Sequence, residues 1–147
     1  MTVYFEDFEV GDTRTIGETT VSEDDIVAFA EQFDPQPFHV DPEAAAASPF
    51  GGLVASGWHT ASLTMRVLVD NFLSDAATHG ALGIDELRWR EPVRPGDQLL
   101  VSTEIVDTEP WSDEAGKVDV RVETETPAGT VMSMVSLVLF ARRNPLE

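Results

Sequence analysis

The chain has 147 residues, 42% of them hydrophobic, and sets 27 acidic side chains against 9 basic ones for a formal charge of −18. This is the composition of a globular protein, and it offers no basic stripe from which nucleic acid could release counterions. The absence of cysteine excludes disulfides, thiolate catalysis and cysteine metal sites, and no run reaches the roughly 20 apolar residues of a bilayer crossing.

Eight of the nine bases are arginine and Lys117 is the only lysine. Acid excess with so little lysine resembles the halophilic proteins of salt-accumulating cytoplasms, beside the plainer reading of an ordinary acidic enzyme. The acidic start MTVYFEDFEVGD lacks the basic and apolar regions of a secretory signal, so a cytoplasmic location is expected. With no repeat and no Ser/Gly-rich linker, residues 1–147 are read as a single domain.

In chain order, TRTIGETTV from Thr13 has strand-like residues. Ser22, with Asp25 three residues on and acids at 23 to 25, caps a helix whose positive end they suit. Ile26, Phe29, Ala30 and Phe33 follow at helical spacing and predict one buried face. Asp34-Pro35 and Gln36-Pro37 end that helix and predict an extended or turning segment over DPQPFH. Asp41 and Pro42 start a short second helix that stops at Ser48-Pro49. Residues 57–73, with only Arg66 and Asp70 charged, predict a long helix apolar on most of its circumference and therefore covered by protein. From Leu82 on, alternating and β-branched residues predict strands, the last two forming a hairpin across Pro127 to Thr130. One buried helix and a run of strands imply an α+β fold in which an antiparallel sheet wraps the helix.

Histidines, hydroxyls and carboxylates are the candidate catalytic groups. His39 and Asp41 are too few ligands for a metal site, and Asp41 is better explained as a cap; no metal and no cofactor are expected. Asp34 and His39 stand five residues apart on a segment stiffened by two prolines, which suits paired acid and base work, and a carboxylate can orient an imidazole near neutral pH. From spacing alone, the plainer account is that Asp34 starts a turn and His39 packs in the core. Ser56-Gly57 begins the long helix, where unpaired N–H groups and a missing Cβ suit an oxyanion, although serine is also a common cap. His59 and Ser62 lie on its first turns, where packing is the default explanation.

Together these residues resemble the MaoC-like acyl dehydratase family, relatives of the (R)-specific enoyl-CoA hydratases. The resemblance runs from about Phe5 to Phe140, centred on DPQPFHVDPEAAAASPFGGLVASGWHTASL and supported by ELRWREPVRPGDQL. It implies a hot-dog fold, a homodimer or higher homo-oligomer, and reversible addition of water to a 2-enoyl thioester of coenzyme A in fatty acid metabolism, with the thioester as substrate and no separate cofactor. It further implies that Asp34 acts as base toward water and that His39 orients it and transfers the proton at C2. Gly57 becomes the oxyanion donor, and Ser62 a serine hydrogen-bonded near the pair. Two positions depart from the commoner pattern, Gln36 for Asn and Ser56 for His, and both bear on which acyl chain is accepted. Arg88, Arg90 and Arg94, with Arg142 and Arg143, are candidates for the coenzyme phosphates. Because one fold hosts several chemistries, the alternatives are an acyl-CoA thioesterase and a non-catalytic acyl-binding subunit of a heteromeric hydratase.

Overall fold

The computed structural model of the chain describes residues 1–146. The elements are β1 (Thr13–Thr20), α1 (Glu23–Phe33), α2 (Pro37–Val40), α3 (Pro42–Ala46), α4 (Gly57–Leu68), β2 (Thr78–Trp89), β3 (Gln98–Pro110), β4 (Ala115–Thr126) and β5 (Gly129–Ala141). The strands form one antiparallel sheet in the order β1-β3-β4-β5-β2. Its inner face and α4 enclose the core, with Leu99, Val118, Val122, Met132 and Phe140 fully buried. This is the α+β arrangement expected. No helix among the described residues is long and apolar enough to cross a membrane.

Local chemistry explains the helix starts. The Ser22 hydroxyl accepts the Asp25 N–H at 3.1 Å, and Asp41 accepts those of Glu43 and Ala44 at 3.0 and 3.3 Å, so each cap satisfies N–H groups that the first turn leaves open. Ile26 and Ala30 face the core as expected, but Phe33 is 65% exposed. As the last residue of α1 it lies against the Phe29 ring, centroids 5.2 Å apart, at the rim and not over the core.

The segment around Pro37 also differs from expectation. Gln36 keeps the extended backbone that a following proline demands, at φ −73° and ψ 145°, but Pro37 opens the helical turn α2. Proline suits this first position because its fixed φ is helical and its missing N–H is not needed there. One turn of helix thus carries His39 inward.

α4 runs on through one π-helical turn, Val69–Leu73, so the long helix has its expected extent with a wider last turn. Its covered side presents His59, Thr60, Thr64, Val67 and Leu68. Trp58, Met65 and Val69 are exposed on the other side, so a single chain does not supply the all-round cover expected of so apolar a helix. Midway along the helix, the buried Thr64 and Thr124 hydroxyls are 2.7 Å apart and tie α4 to β4. Removing one partner leaves the other unsatisfied in the interior, so Thr124→Val is expected to lower unfolding free energy by about 1–3 kcal/mol. Denaturant melts of both single variants and the Thr64→Val/Thr124→Val pair check this: the double variant should lose less than the sum of the singles.

β2 is an edge strand with irregular register against β5, including a shift between Asp85 and Arg88. There Glu86 takes φ 56°, the only non-glycine residue with positive φ among those described. Such a bulge re-aims the side chains that follow it.

Candidate active site

Three neighbouring elements bring the site together. Asp34 is the C-cap of α1, His39 lies in α2 and Ser56 is the N-cap of α4. The Asp34 carboxylate accepts from Gln36 Nε2 at 2.7 Å through Oδ1 and from the Ser56 hydroxyl at 2.7 Å through Oδ2. His39 Nε2 lies 3.4 Å from that same Oδ2. On the other side of the ring, Nδ1 is 2.6 Å from the Val54 carbonyl. A carbonyl only accepts, so Nδ1 carries a proton and Nε2 is the nitrogen turned toward Asp34. The spacing motif therefore forms a real pair, and both the Gln36 amide and the Ser56 hydroxyl are engaged with it.

Burial works against the Asp34 charge, but hydrogen bonds from Gln36 and Ser56 and the nearby His39 together hold its carboxyl below the usual aspartate range. The group is thus a carboxylate at any pH near neutrality. Its contribution to stability is present above the ordinary aspartate value and is lost as pH falls through the lower, folded value.

Ser62, expected beside the pair, is exposed and donates its hydroxyl to the Trp58 carbonyl at 2.8 Å. Six residues earlier, at the N-cap of the helix, it is Ser56 that bonds to Asp34. His59 packs, as the default reading holds: its ring stacks on Phe29 at 4.7 Å and 7°, and its buried Nδ1 has no hydrogen-bond partner among the described residues. Burial pushes its pKa down, against an upward pull from Asp25. The unfolded chain therefore takes this proton first, and folding stability falls as pH drops below about 6.5, the ordinary histidine value. His59→Phe is expected to narrow the stability difference between pH 7.5 and pH 5.5, about one unit either side of that value, in denaturant melts.

His39 and Gly57 face a cleft of about 330 Å³ walled also by Phe38, Thr60, Trp89 and Arg90. Asp34 is not one of its walls among the described residues and meets it through His39. Trp58 N–H bonds to the Ser56 hydroxyl at 3.3 Å, and the His59 and Thr60 N–H groups bond to the Ser56 carbonyl. The Gly57 N–H has no partner among the described residues, which leaves it available to a ligand oxygen. The Trp89 indole lies so close to Gly57 that a Cβ there would overlap the ring.

Trp89 was not a candidate from sequence; it is partly exposed at the end of β2, where its ring covers Gly57 at the edge of the cleft. The other predicted arginines are dispersed. Arg94 donates to the Phe50 carbonyl, Arg142 to that of Ser112, and Arg143 pairs with Asp7 at 2.7 Å. Among the described residues no group of three or more His, Asp or Glu side chains is placed to hold a metal.

The family model described as MaoC like domain matches residues 7–127. A 3-hydroxybutyryl-CoA dehydratase of Methylorubrum extorquens is 37% identical over 109 residues, 74% of this chain and 67% of that protein. The crystal structure of a MaoC-like dehydratase from Rhodospirillum rubrum superposes with a TM-score of 0.87 at 41% identity, covering 96% of this chain and 98% of the other. An (R)-hydratase from Pseudomonas aeruginosa, in its unliganded form, gives 0.71 at 25% identity over 99% and 88%. The sheet and helix are those of the hot-dog fold.

Proposed function

The chain belongs to the MaoC-like dehydratase family, whose members are hydro-lyases, and from that premise we propose that it is an (R)-specific enoyl-CoA hydratase, equally a 3-hydroxyacyl-CoA dehydratase in reverse. The observation that carries this is the Asp34 carboxylate, held ionised by Gln36 and Ser56 and set 3.4 Å from His39 Nε2 beside the free N–H of Gly57.

The enoyl thioester lies in the cleft with its carbonyl oxygen at the Gly57 N–H. Asp34 takes a proton from water as the hydroxyl bonds to C3, and the C2=C3 electron pair moves toward the thioester. Negative charge gathers on the carbonyl oxygen, where a fixed backbone donor contributes about 3–4 kcal/mol in comparable sites. The Nε2–H of His39 then delivers its proton to C2, and the proton taken up by Asp34 crosses the 3.4 Å to Nε2, so both groups return to their starting forms and the elements of water are added across the double bond. The reaction draws on no cofactor beyond the coenzyme A of the substrate. Gln36 and Ser56, which depart from the commoner residues, both bond to Asp34.

The test is incubation with crotonyl-CoA and longer or branched 2-enoyl-CoA esters, following loss of the conjugated thioester and the hand of the 3-hydroxyacyl product. Free thiol released without hydration would make the chain a thioesterase, and tight binding with no turnover an acyl-binding subunit; either overturns the reading. A homodimer joined along the β2 edge fits the unpaired strand and its exposed Leu82 and Ile84, because pairing removes an edge open to misassociation.

A further inference from the structure

We propose that Arg88, Arg90 and Arg121 form a polyphosphate site on the outer face of the sheet that takes the nucleotide end of the substrate, its diphosphate and 3′-phosphate. The inference rests on the reading of that substrate as a coenzyme A thioester. Arg121 was not a candidate from sequence.

Charge is the first support. In a chain of −18, cations are surrounded by carboxylates, and several are paired: Arg66 with Asp70, Lys117 with Asp119 and Glu109, Arg143 with Asp7. Arg88, Arg90 and Arg121 form no ion pair among the described residues, yet they converge on one depression of about 270 Å³, whose other walls are Glu86, Ser133 and Met134. Three guanidinium groups converging on one depression repel one another, and a bound anion relieves that repulsion. Glu86 is the one carboxylate on the walls, which are therefore net positive, while Glu104, opposite Arg121 on β3, and Glu123, two residues along β4 from Arg121, stand beside the depression and not on its walls.

The site is also built. The Arg90 Nε donates to the buried Ser133 hydroxyl at 2.9 Å, while its two Nη groups have no partner among the described residues. Arg88 is steadied by the Leu87 carbonyl at 2.9 Å. Arg88 stands opposite Ser133 on β5, and Arg121 on β4 stands opposite Val135. They are thus two strands apart, about 10 Å between backbones. That spread fits a ligand with more than one phosphate better than a single phosphodiester. The bulge after Asp85 and the left-handed Glu86 sit at the rim, a strained arrangement of the kind that persists at ligand sites.

Position supplies the link to the reaction. Arg90 walls both this depression and the cleft of His39 and Gly57, and Trp89, between Arg88 and Arg90, lies on Gly57 itself. A thioester with its carbonyl at Gly57 thus has a route for its pantetheine arm past the end of β2 to the arginines.

Two measurements on the full chain test this. Calorimetric titration with adenosine 3′,5′-bisphosphate should show binding to the wild type and at least about tenfold weaker binding to Arg88→Gln/Arg121→Gln, since two charged hydrogen-bond donors to phosphate are lost. In kinetics the same variant should raise KM for enoyl-CoA about tenfold more than KM for the matching enoyl-pantetheine thioester, which lacks the nucleotide, with a Lys pair restoring part of the loss. No bisphosphate binding by the wild type, equal binding by the variant, or equal rises in both KM values would overturn the site. So would a preference for carrier-protein thioesters with a CoA KM indifferent to the arginines. Absence of hydration with bisphosphate binding intact would sink the catalytic reading and leave the site standing.

Discussion

Asp34→Asn is expected to lower kcat/KM for hydration of 2-enoyl-CoA by about 10²–10⁴-fold, the usual share of a positioned acid or base. The substitution keeps the side chain's size and leaves an oxygen that can still accept from Ser56 or Gln36, so the fold should be retained within ordinary mutational scatter. What disappears is the carboxylate, which the two hydrogen bonds and His39 hold ionised against burial. Steady-state rates on a broad enoyl-CoA panel, with thermal melts of the same samples, separate the two effects. Equal rates for wild type and variant on every substrate would remove Asp34 from the chemistry.

Gly57→Ala has the second large effect, and it acts on activity and stability together. A Cβ at this position overlaps the Trp89 ring, so either the indole or the first turn of α4 must shift. Overpacking of this sort costs about 1–3 kcal/mol; alanine keeps the backbone N–H, but the shift moves that donor off the carbonyl oxygen, and a misplaced oxyanion donor lowers kcat by up to about 10²–10³-fold. Adding Trp89→Ala to Gly57→Ala should restore most of the stability, because the obstacle is then gone. If Gly57→Ala alone melts and turns over like the wild type, the Trp89 ring does not lie where it is described.

The parts of the fold legible in the sequence are those decided within a few residues. Ser22 and Asp41 announce their helices because a cap bonds to an N–H two or three positions away, and β3, Gln98 to Pro110, falls in the stretch after Leu82 whose alternating, β-branched residues predict strands. Asp34 and His39 were visible as a spaced pair because two prolines leave the segment few conformations. Even there, the direction of the chain after Gln36 was misread, since proline both forces an extended predecessor and favours a helix start at its own position. The rest depends on contacts between distant residues. The partner of Asp34 is Ser56, 22 positions on, and not the expected Ser62. The carbonyl that holds the His39 ring through Nδ1 belongs to Val54, whose side chain carries no signal of that role. Arg121 joins Arg88 only because β5 lies between their strands, and no spacing rule along the chain reports that.

The Ser56 hydroxyl donates to Asp34 and accepts from the Trp58 N–H, so the proton affinity of the base and the closing of the first turn of α4 are thermodynamically linked. Protonating Asp34 weakens the acceptor that orients this hydroxyl, and the hydroxyl then holds the Trp58 amide less well. By reciprocity, anything that frays the helix start raises the basicity of Asp34. Local opening at the head of α4, the kind of event that amide exchange reads at Trp58, is therefore also an event in the titration of the Asp34 carboxylate.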